Sequence, residues 1–548
     1  MPSKISTPTK VALLIPLAII VFICASGAPF PKSLSLINTA NSQSTIDWQS
    51  CTLPAYDTWF ADYAENIDTL QCATIEVTLA DMPLSADESG AAPASANTDA
   101  VNTNSANTNS ANTNTANTNT VPVKKPPTVI KLALSRLPAT GNKLGSLISI
   151  AGGPGQSGLD VSAVDSKAYK KLSKHFDVIG FAPRGVYPTT PNVICDPDNR
   201  VLYPEDSEAF AKGCWQYTPN DLLAQLGADY AVGDIEAIRQ ALGELQINLI
   251  GYSYGTKIAA LYAEKFPDKL RAGVLDGVVN LNEDDMRMQL NQEASVQQTF
   301  ERFVDQCRLE PDCFFADTTT LAEAEAKIAK IYSYFDSHDV RDLDGQRITP
   351  THISWTLYGF MVWPDRWPIL NEALHLLAAR DFSLLQLMID EDKGNVDYAT
   401  FTAIDCADRA PTPAQKQRYL ADAKLVEAQS TWDNHREPTR QELLDACYYW
   451  PVVGSDVMHA PVLNVQAPTL LLVAQTNDPA TPYANAVAMQ KYLNAALLTR
   501  NGDGHTLALS DLSRCVDNKV VEYLIDPESI KKYKDGAHGN KIDLVCED

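Results

Sequence analysis

Ten residues, 247–256, read INLIGYSYGT and constrain the fold more tightly than any other stretch of the chain. Ile247, Leu249 and Ile250 form an apolar run of strand length. Gly251-Tyr252-Ser253-Tyr254-Gly255 follows without a break, and 257–266 (KIAALYAEKF) then carries apolar residues at helical spacing until Pro267 stops it. A G-x-S-x-G sequence alone is common by chance. A strand before it and a helix after it form the context in which the motif makes a sharp strand-to-helix turn. The glycines are a steric requirement, because strand and helix approach so closely there that a Cβ two residues before or after the serine would collide. The turn lifts the Ser253 hydroxyl clear of the sheet, at the N-terminal end of the helix. There the Tyr254 N–H and the helix dipole face developing negative charge. Ser253 is therefore the candidate nucleophile.

Around this turn the chain reads as strands alternating with helices. Strands are expected at 72–79, 128–134, 147–150, 176–181, 272–278 and 470–473, and an amphipathic helix at 229–242 leads into the turn. This alternation specifies an α/β fold, a mostly parallel sheet with helices on both faces. From 282 to 465 the pattern changes. Helices are expected at 286–307, 321–335, 367–379 and 416–429, and Trp355, Tyr358, Phe360, Trp363 and Trp367 cluster among them. The core is thus read in two parts, 46–281 and 466–548. Residues 282–465 form a helical cap over the C-terminal edge of the sheet, where open α/β folds bind ligands. Residues 85–120 repeat Ala-Asn-Thr-Asn-Ser/Thr, with Val101 as the one large apolar residue. Such a segment cannot offset its ordering entropy and reads as a disordered loop between two early strands. Deleting 90–118 is expected to leave the melting temperature nearly unchanged, since long loops add little closure entropy. A large drop measured by calorimetry would mean that the repeat packs against something.

A nucleophilic serine requires a base, and the base an orienting acid. Downstream of the cap, 472–478 (LVAQTND) puts Asp478 just past the C-terminal end of a strand. Residues 501–506 (NGDGHT) put His505 in a glycine-flanked loop. Between them lies room for one helix (484–494) and one short strand (497–499), so both loops emerge at the same sheet edge as Ser253. Asp503 is the rival acid, but only two residues from His505 it is badly placed to reach the same ring. His175 precedes a strand, and His352 and His375 lie in the cap, where lone histidines are as a rule structural. Gly152-Gly153-Pro154-Gly155 follows a strand and offers a second backbone donor, at Gly153, beside the Tyr254 N–H. An ordinary Gly-Pro turn is the plainer reading of that run. A phosphate loop is excluded by the missing G-K-[ST]. No cysteine pair has C-x-x-C spacing, so no metal is expected.

Net charge is 44 − 68 = −24, which argues against nucleic acid as a partner. Lys4 and Lys10, the apolar run 11–25 and the small residues 26–28 make 1–28 a signal peptide or an uncleaved signal anchor, with 29–45 a linker. Cys24 follows Ile23 rather than a small residue, which speaks against lipidation. The other ten cysteines are an even count, and in an exported chain they call for five disulfides. Sequential pairing is the simplest connectivity: Cys51–Cys72, Cys195–Cys214, Cys307–Cys313, Cys406–Cys447 and Cys515–Cys546. The expected location is periplasmic or secreted, with membrane attachment only through an uncleaved 1–28.

Taken jointly, GGPGQSG at 152–158, PRG at 183–185, GYSYGT at 251–256, Asp478 and GHT at 504–506 resemble the proline iminopeptidase and tripeptidyl aminopeptidase group of α/β-hydrolase serine peptidases. The resemblance covers 72–81 and 128–546. Cys406 in AIDCADR and Cys447 before Trp450-Pro451 are similar to its secreted tripeptidyl-aminopeptidase branch. The resemblance implies an α/β-hydrolase fold, no cofactor, and release of N-terminal residues or tripeptides from peptides. Two positions depart from the group: Ala182 replaces an Asp before Pro-Arg-Gly, and Tyr187 replaces the second glycine of a following Gly-x-Gly. An exopeptidase must hold a free ammonium, which calls for carboxylates near the cap. Glu283 (with Asp284 and Asp285), Asp405 and Asp408 are the candidates, although for any one of them solvated acidic surface is the plainer reading. A carboxylesterase or lipase on the same fold is the alternative, favoured if the cap pocket lacks carboxylates. A catalytically silent binding module is a third, against which the intact Ser253–Asp478–His505 set speaks.

Overall fold

Continuous apolar runs build the centre of the molecule. The computed structural model describes residues 46–56, 59, 67–79, 128–163, 166–197, 205–343, 345–395, 397–455, 458–464, 466–533 and 542–548. The readings made above on 1–45 and 85–120 lie outside the described residues. Ten strands form one sheet: β1 (Gln49–Ser50), β2 (Gln71–Thr78), β3 (Val129–Leu137), β4 (Gly145–Ile150), β5 (Phe176–Ala182), β6 (Ile247–Tyr252), β7 (Leu270–Asp276), β8 (Leu471–Asn477), β9 (Ala496–Asp503) and β10 (Ile542–Cys546). Their order is β1-β2-β3-β5-β4-β6-β7-β8-β9-β10. Pairs from β1 to β5 through β3 are antiparallel, and every pair from β5 onward is parallel. All residues of β4 and β5 are buried, as a parallel sheet covered on both faces requires.

Period-two alternation sends side chains to two separate cores. Ile148, Ile150, Ile247 and Leu249 pack on one face, beneath α1 (Ala228–Leu242) and α2 (Tyr254–Lys265). Leu147, Val178, Ile250 and Val274 pack on the other. The cap follows β7 and consists of α3 (Asp285–Cys307), α4 (Leu321–Ser337), α5 (Pro350–Met361), α6 (Trp367–Ala378), α7 (Ser383–Asn395), α8 (Tyr398–Arg409) and α9 (Tyr419–Glu427). It has its own core, in which Phe300 and Phe303 of α3 meet Tyr332 of α4, Leu357 of α5, Trp367 of α6 and Trp432. After the cap come α10 (Tyr483–Leu493), against the first face, and α11 (Arg514–Ile525), against the second.

The expected helix at 416–429 is broken into Pro413–Lys416 and α9. Three further cap helices, α5, α7 and α8, lacked a clear apolar period. The start of α5 is set locally, by Pro350 in its first turn and a capping box between Thr349 and His352. No helix among the described residues is long and apolar enough to cross a membrane.

The structure contains disulfides Cys51–Cys72, Cys195–Cys214, Cys307–Cys313, Cys406–Cys447 and Cys515–Cys546. A set of this kind belongs to an oxidising compartment outside the cytosol. Cys406–Cys447 spans 41 residues and ties α8 to the segment leading out of the cap. Replacing both cysteines with alanine is expected to cost roughly 2–4 kcal/mol by freeing the unfolded chain. Urea unfolding measures this, and an unchanged midpoint would refute it.

Candidate active site

The turn between β6 and α2 holds Ser253 at φ 51 and ψ −121, a conformation that non-glycine residues rarely adopt. The flanking glycines make it possible. A Cβ on Gly251 would lie 2.4 Å from the Gly255 carbonyl oxygen, and one on Gly255 would lie 2.4 Å from that of Ile150. The Ser253 N–H donates to the Asp276 carbonyl at the end of β7 (2.8 Å). The Ser253 carbonyl accepts from the Thr256 N–H (2.9 Å) and hydroxyl (2.6 Å).

Asp478 follows β8, and His505 follows β9. The His505 Nδ1 lies 3.0 and 2.9 Å from the two carboxylate oxygens of Asp478. Asp478 is itself held by the N–H groups of Ala480 (2.9 Å) and Thr481 (2.8 Å) and by the Thr481 hydroxyl (2.9 Å). With Nδ1 so engaged, Nε2 is the ring nitrogen left to accept a proton. Burial disfavours the imidazolium, but the Asp478 carboxylate outweighs it, and the His505 pKa rises above its ordinary value. Asp503, the rival acid, is instead ion-paired with Arg302 of α3. The ring lies against Gly277, just past the end of β7, where an added Cβ would come within 2.8 Å of His505 Cε1. Ser253, Asp478 and His505 thus leave three strands that flank β7 or lie one beyond it, at one corner of the sheet.

The 152–155 loop joins this corner. Gly152 lies against the nucleophile turn, since a Cβ there would be 3.0 Å from Ser253 Cβ. Gly153 and Gly155 have φ of +98° and +87°, which only glycine adopts freely. Gly155 packs on the main chain of Phe401 at the start of α8. The Arg184 side chain of PRG is fully buried and forks onto Asp234 of α1 (2.7 and 2.6 Å), so its part is structural.

Contacts from the cap encircle the corner. Gln292 of α3 donates to the Ala480 carbonyl (2.9 Å) beside Asp478, and Arg302 reaches Asp503 and the Asn477 carbonyl (3.4 Å). Pro364, between α5 and α6, lies against Gly504. The cap therefore contacts the loops that carry Asp478 and His505 and the neighbouring 152–155 loop.

The carboxylates singled out from sequence are already engaged. Asp408 accepts from the Tyr254 hydroxyl (2.7 Å), Lys257 (3.0 Å) and the Ala228 N–H (2.8 Å), bracing α1 and α2. Asp405 is paired with Arg409 (2.6 Å) and is pushed up to about 6 by burial, against that pairing. Glu283 is hydrogen-bonded to the Asn291 amide, and Asp284 caps the N-terminus of α3 through the Arg287 N–H (2.8 Å). Sequence reasoning missed Glu293, in the middle of α3. No hydrogen bond or cation among the described residues reaches it. Burial, together with the carboxylates of Asp433 and Glu427, pushes it up to about 7. Its neighbour in the chain, Gln292, reaches the Ala480 carbonyl beside Asp478 (2.9 Å), and the Tyr358 phenol of α5 is raised by burial and then by the charges of Asp478 and Glu293. A glutamate inside a long polar helix carries no local signal, so only the packing of the cap reveals it.

Comparison with known proteins is consistent with this geometry. A family described as alpha/beta hydrolase fold matches residues 145–322, and one described as TAP-like protein matches 434–534. The chain is 31% identical to serine protease Hip1 of Mycobacterium tuberculosis, over 72% of this chain and 82% of that protein. It is 30% identical to carboxylesterase B of the same organism, over 73% and 81%. It is 28% identical to a tripeptidyl aminopeptidase of Streptomyces coelicolor, over 72% and 77%.

Proposed function

The chain belongs to the α/β-hydrolase family, in its TAP-like branch, and from that premise we propose that it is an exported serine exopeptidase releasing N-terminal residues or tripeptides from peptides. In this reading Ser253 Oγ attacks the scissile carbonyl carbon while His505 Nε2 takes its proton. Asp478 holds the ring in the needed tautomer and stabilises the imidazolium. The N–H groups of Gly153 and Tyr254 receive the oxyanion. The tetrahedral intermediate collapses as His505 gives the proton to the leaving amine. A water molecule, deprotonated by the same nitrogen, then releases the acyl group.

The observation that carries the exopeptidase reading is a half-buried carboxylate on the cap helix α3, Glu293, which no cation among the described residues balances and whose neighbour Gln292 reaches the Ala480 carbonyl beside Asp478. An ammonium at a peptide's N-terminus supplies the missing charge. Glu293, with Asp433 behind it, takes the substrate-binding role first considered for Glu283, Asp405 and Asp408.

The test is a panel of aminoacyl and tripeptidyl chromogenic amides beside short acyl esters. Turnover of free-amine amides supports the proposal. Short esters cleaved faster than every amide would support the carboxylesterase reading instead, which the likeness to carboxylesterase B keeps in view.

A further inference from the structure

Asp276, the last residue of β7, touches both halves of the site without belonging to it. Its main-chain carbonyl accepts the Ser253 N–H (2.8 Å). Its Oδ2 accepts the N–H groups of Leu507 and Ala508, both at 2.7 Å, in the loop that carries His505. That loop is strained, since Thr506, Leu509 and Asp511 all have positive φ of 50°, 66° and 64°. It needs anchors, and Asp517 supplies a second one by accepting from Leu509 (2.7 Å) and Asp511 (3.0 Å). Asp276 is 0% exposed, and its Oδ1 is buried with no hydrogen-bond partner among the described residues. A buried carboxylate oxygen left unpaired is costly, and the opposite charge that favours its ionised form is His505.

We propose that Asp276 is a positioning residue for the triad, whose carboxylate seats the His505 loop and acts as a second anion, beside Asp478, for the imidazolium formed during turnover. The inference rests on the triad reading above. The groups facing it agree. In the loops after β8 and β9 these are Asp478 and His505, and on β6 it is Tyr252, with Tyr169 behind it (3.2 Å between the hydroxyls). Both phenols are raised by burial and stay neutral throughout the working range. Burial pushes Asp276 up to about 6, an effect reduced by the two N–H donors and by His505. Above that pH it is ionised, and the Asp276 charge adds to that of Asp478 in raising His505. Below it, the contribution is lost.

The experiment follows the rate of Ser253 labelling by a fluorophosphonate against pH, which needs no knowledge of the substrate. In Asp276→Asn the amide oxygen can still accept from Leu507 and Ala508, but the charge is gone. The plateau rate is expected to fall about tenfold and the acid limb to move down by about half a pH unit, a threefold relative gain on that limb. Asp517→Asn, which loosens the same loop without facing His505, should leave the limb in place. An Asp276→Asn variant whose acid limb coincides with that of the wild type would reduce Asp276 to a structural anchor and overturn the proposal. If that variant does not fold, the His505 ring is titrated by NMR in the wild-type protein. A second inflection near pH 6 supports the proposal, and a single-step curve overturns it. A wild-type protein that is not labelled at all would bring down the triad reading itself.

Discussion

Ser253→Ala is expected to lower kcat/KM by about 10⁴-fold or more, to abolish labelling by a fluorophosphonate, and to leave the melting temperature within a few degrees of wild type. The size of the loss follows from division of labour in the site. In the proposed mechanism no acyl-enzyme forms without the hydroxyl, and what would remain is the polarisation of the carbonyl by Gly153 and Tyr254 with whatever the cap contributes to binding. The fold should be indifferent. Ser253 is held by its main chain, through the Asp276 carbonyl and the two bonds from Thr256, and alanine keeps all three. The strain at φ 51 also remains, because it belongs to the turn and not to the hydroxyl. In the wild-type protein the acid limb of kcat/KM should lie above pH 6.5, since the base works only when neutral and Asp478 raises the His505 pKa. Labelling that persists in Ser253→Ala would remove this residue from the nucleophile's role.

The elements that announced themselves in the sequence were those whose geometry is set by neighbours in the chain. The nucleophile turn is legible because Gly251 and Gly255 are needed within two residues of Ser253, and the strand and helix beside it have clean periods. Asp478 and His505 are legible because each follows a strand whose apolar run stops just short of it. The parallel sheet followed from the same alternation. The cap was harder, since its helices bury one face against each other rather than against the sheet. In α8, YATFTAIDCADR mixes β-branched residues with a half-cystine and hides its period, although Asp397 caps it in the ordinary way. Charge partnerships were not legible at all. Asp408 lies 180 residues from the Ala228 N–H that it caps. Asp276 reads as the polar end of a strand, and Glu293 as one acid among many on a helix that also carries Asp285 and Glu301. What separates them is which acids find a cation or a hydrogen bond in the folded chain, a property of contacts far apart in sequence.

That distinction governs the second large effect, discrimination between free and blocked peptide ends. Peptide amides with a free N-terminus should be cleaved about ten- to a hundredfold faster than their N-acetylated forms, the equivalent of losing a charge-assisted contact worth roughly 1.5–3 kcal/mol. Gln292, Arg302, Pro364 and Phe401 bring the 282–465 helices onto the loops beside Ser253, and in the proposed reading that cover favours a chain end over the middle of a chain. An ammonium entering that space loses water and needs an anion, and Glu293 is a carboxylate that no cation or hydrogen bond among the described residues balances. The pH dependence carries the signature. Glu293 is pushed up to about 7, so in the free enzyme it becomes an anion only as pH rises through that value. The substrate amine loses its proton above about pH 8. The ratio of free to acetylated rates should therefore climb between about pH 6 and pH 7.5 and fall again above pH 8, while the His505 titration, common to both substrates, cancels from the ratio. Glu293→Gln should flatten that profile and bring the ratio close to one, without slowing fluorophosphonate labelling of Ser253. A ratio near one in the wild-type enzyme would end the exopeptidase reading. A strong preference that survives Glu293→Gln would move the ammonium site to another carboxylate, and Asp433, which sits behind Glu293 and accepts from Ser354 (2.6 Å), would be the next to replace.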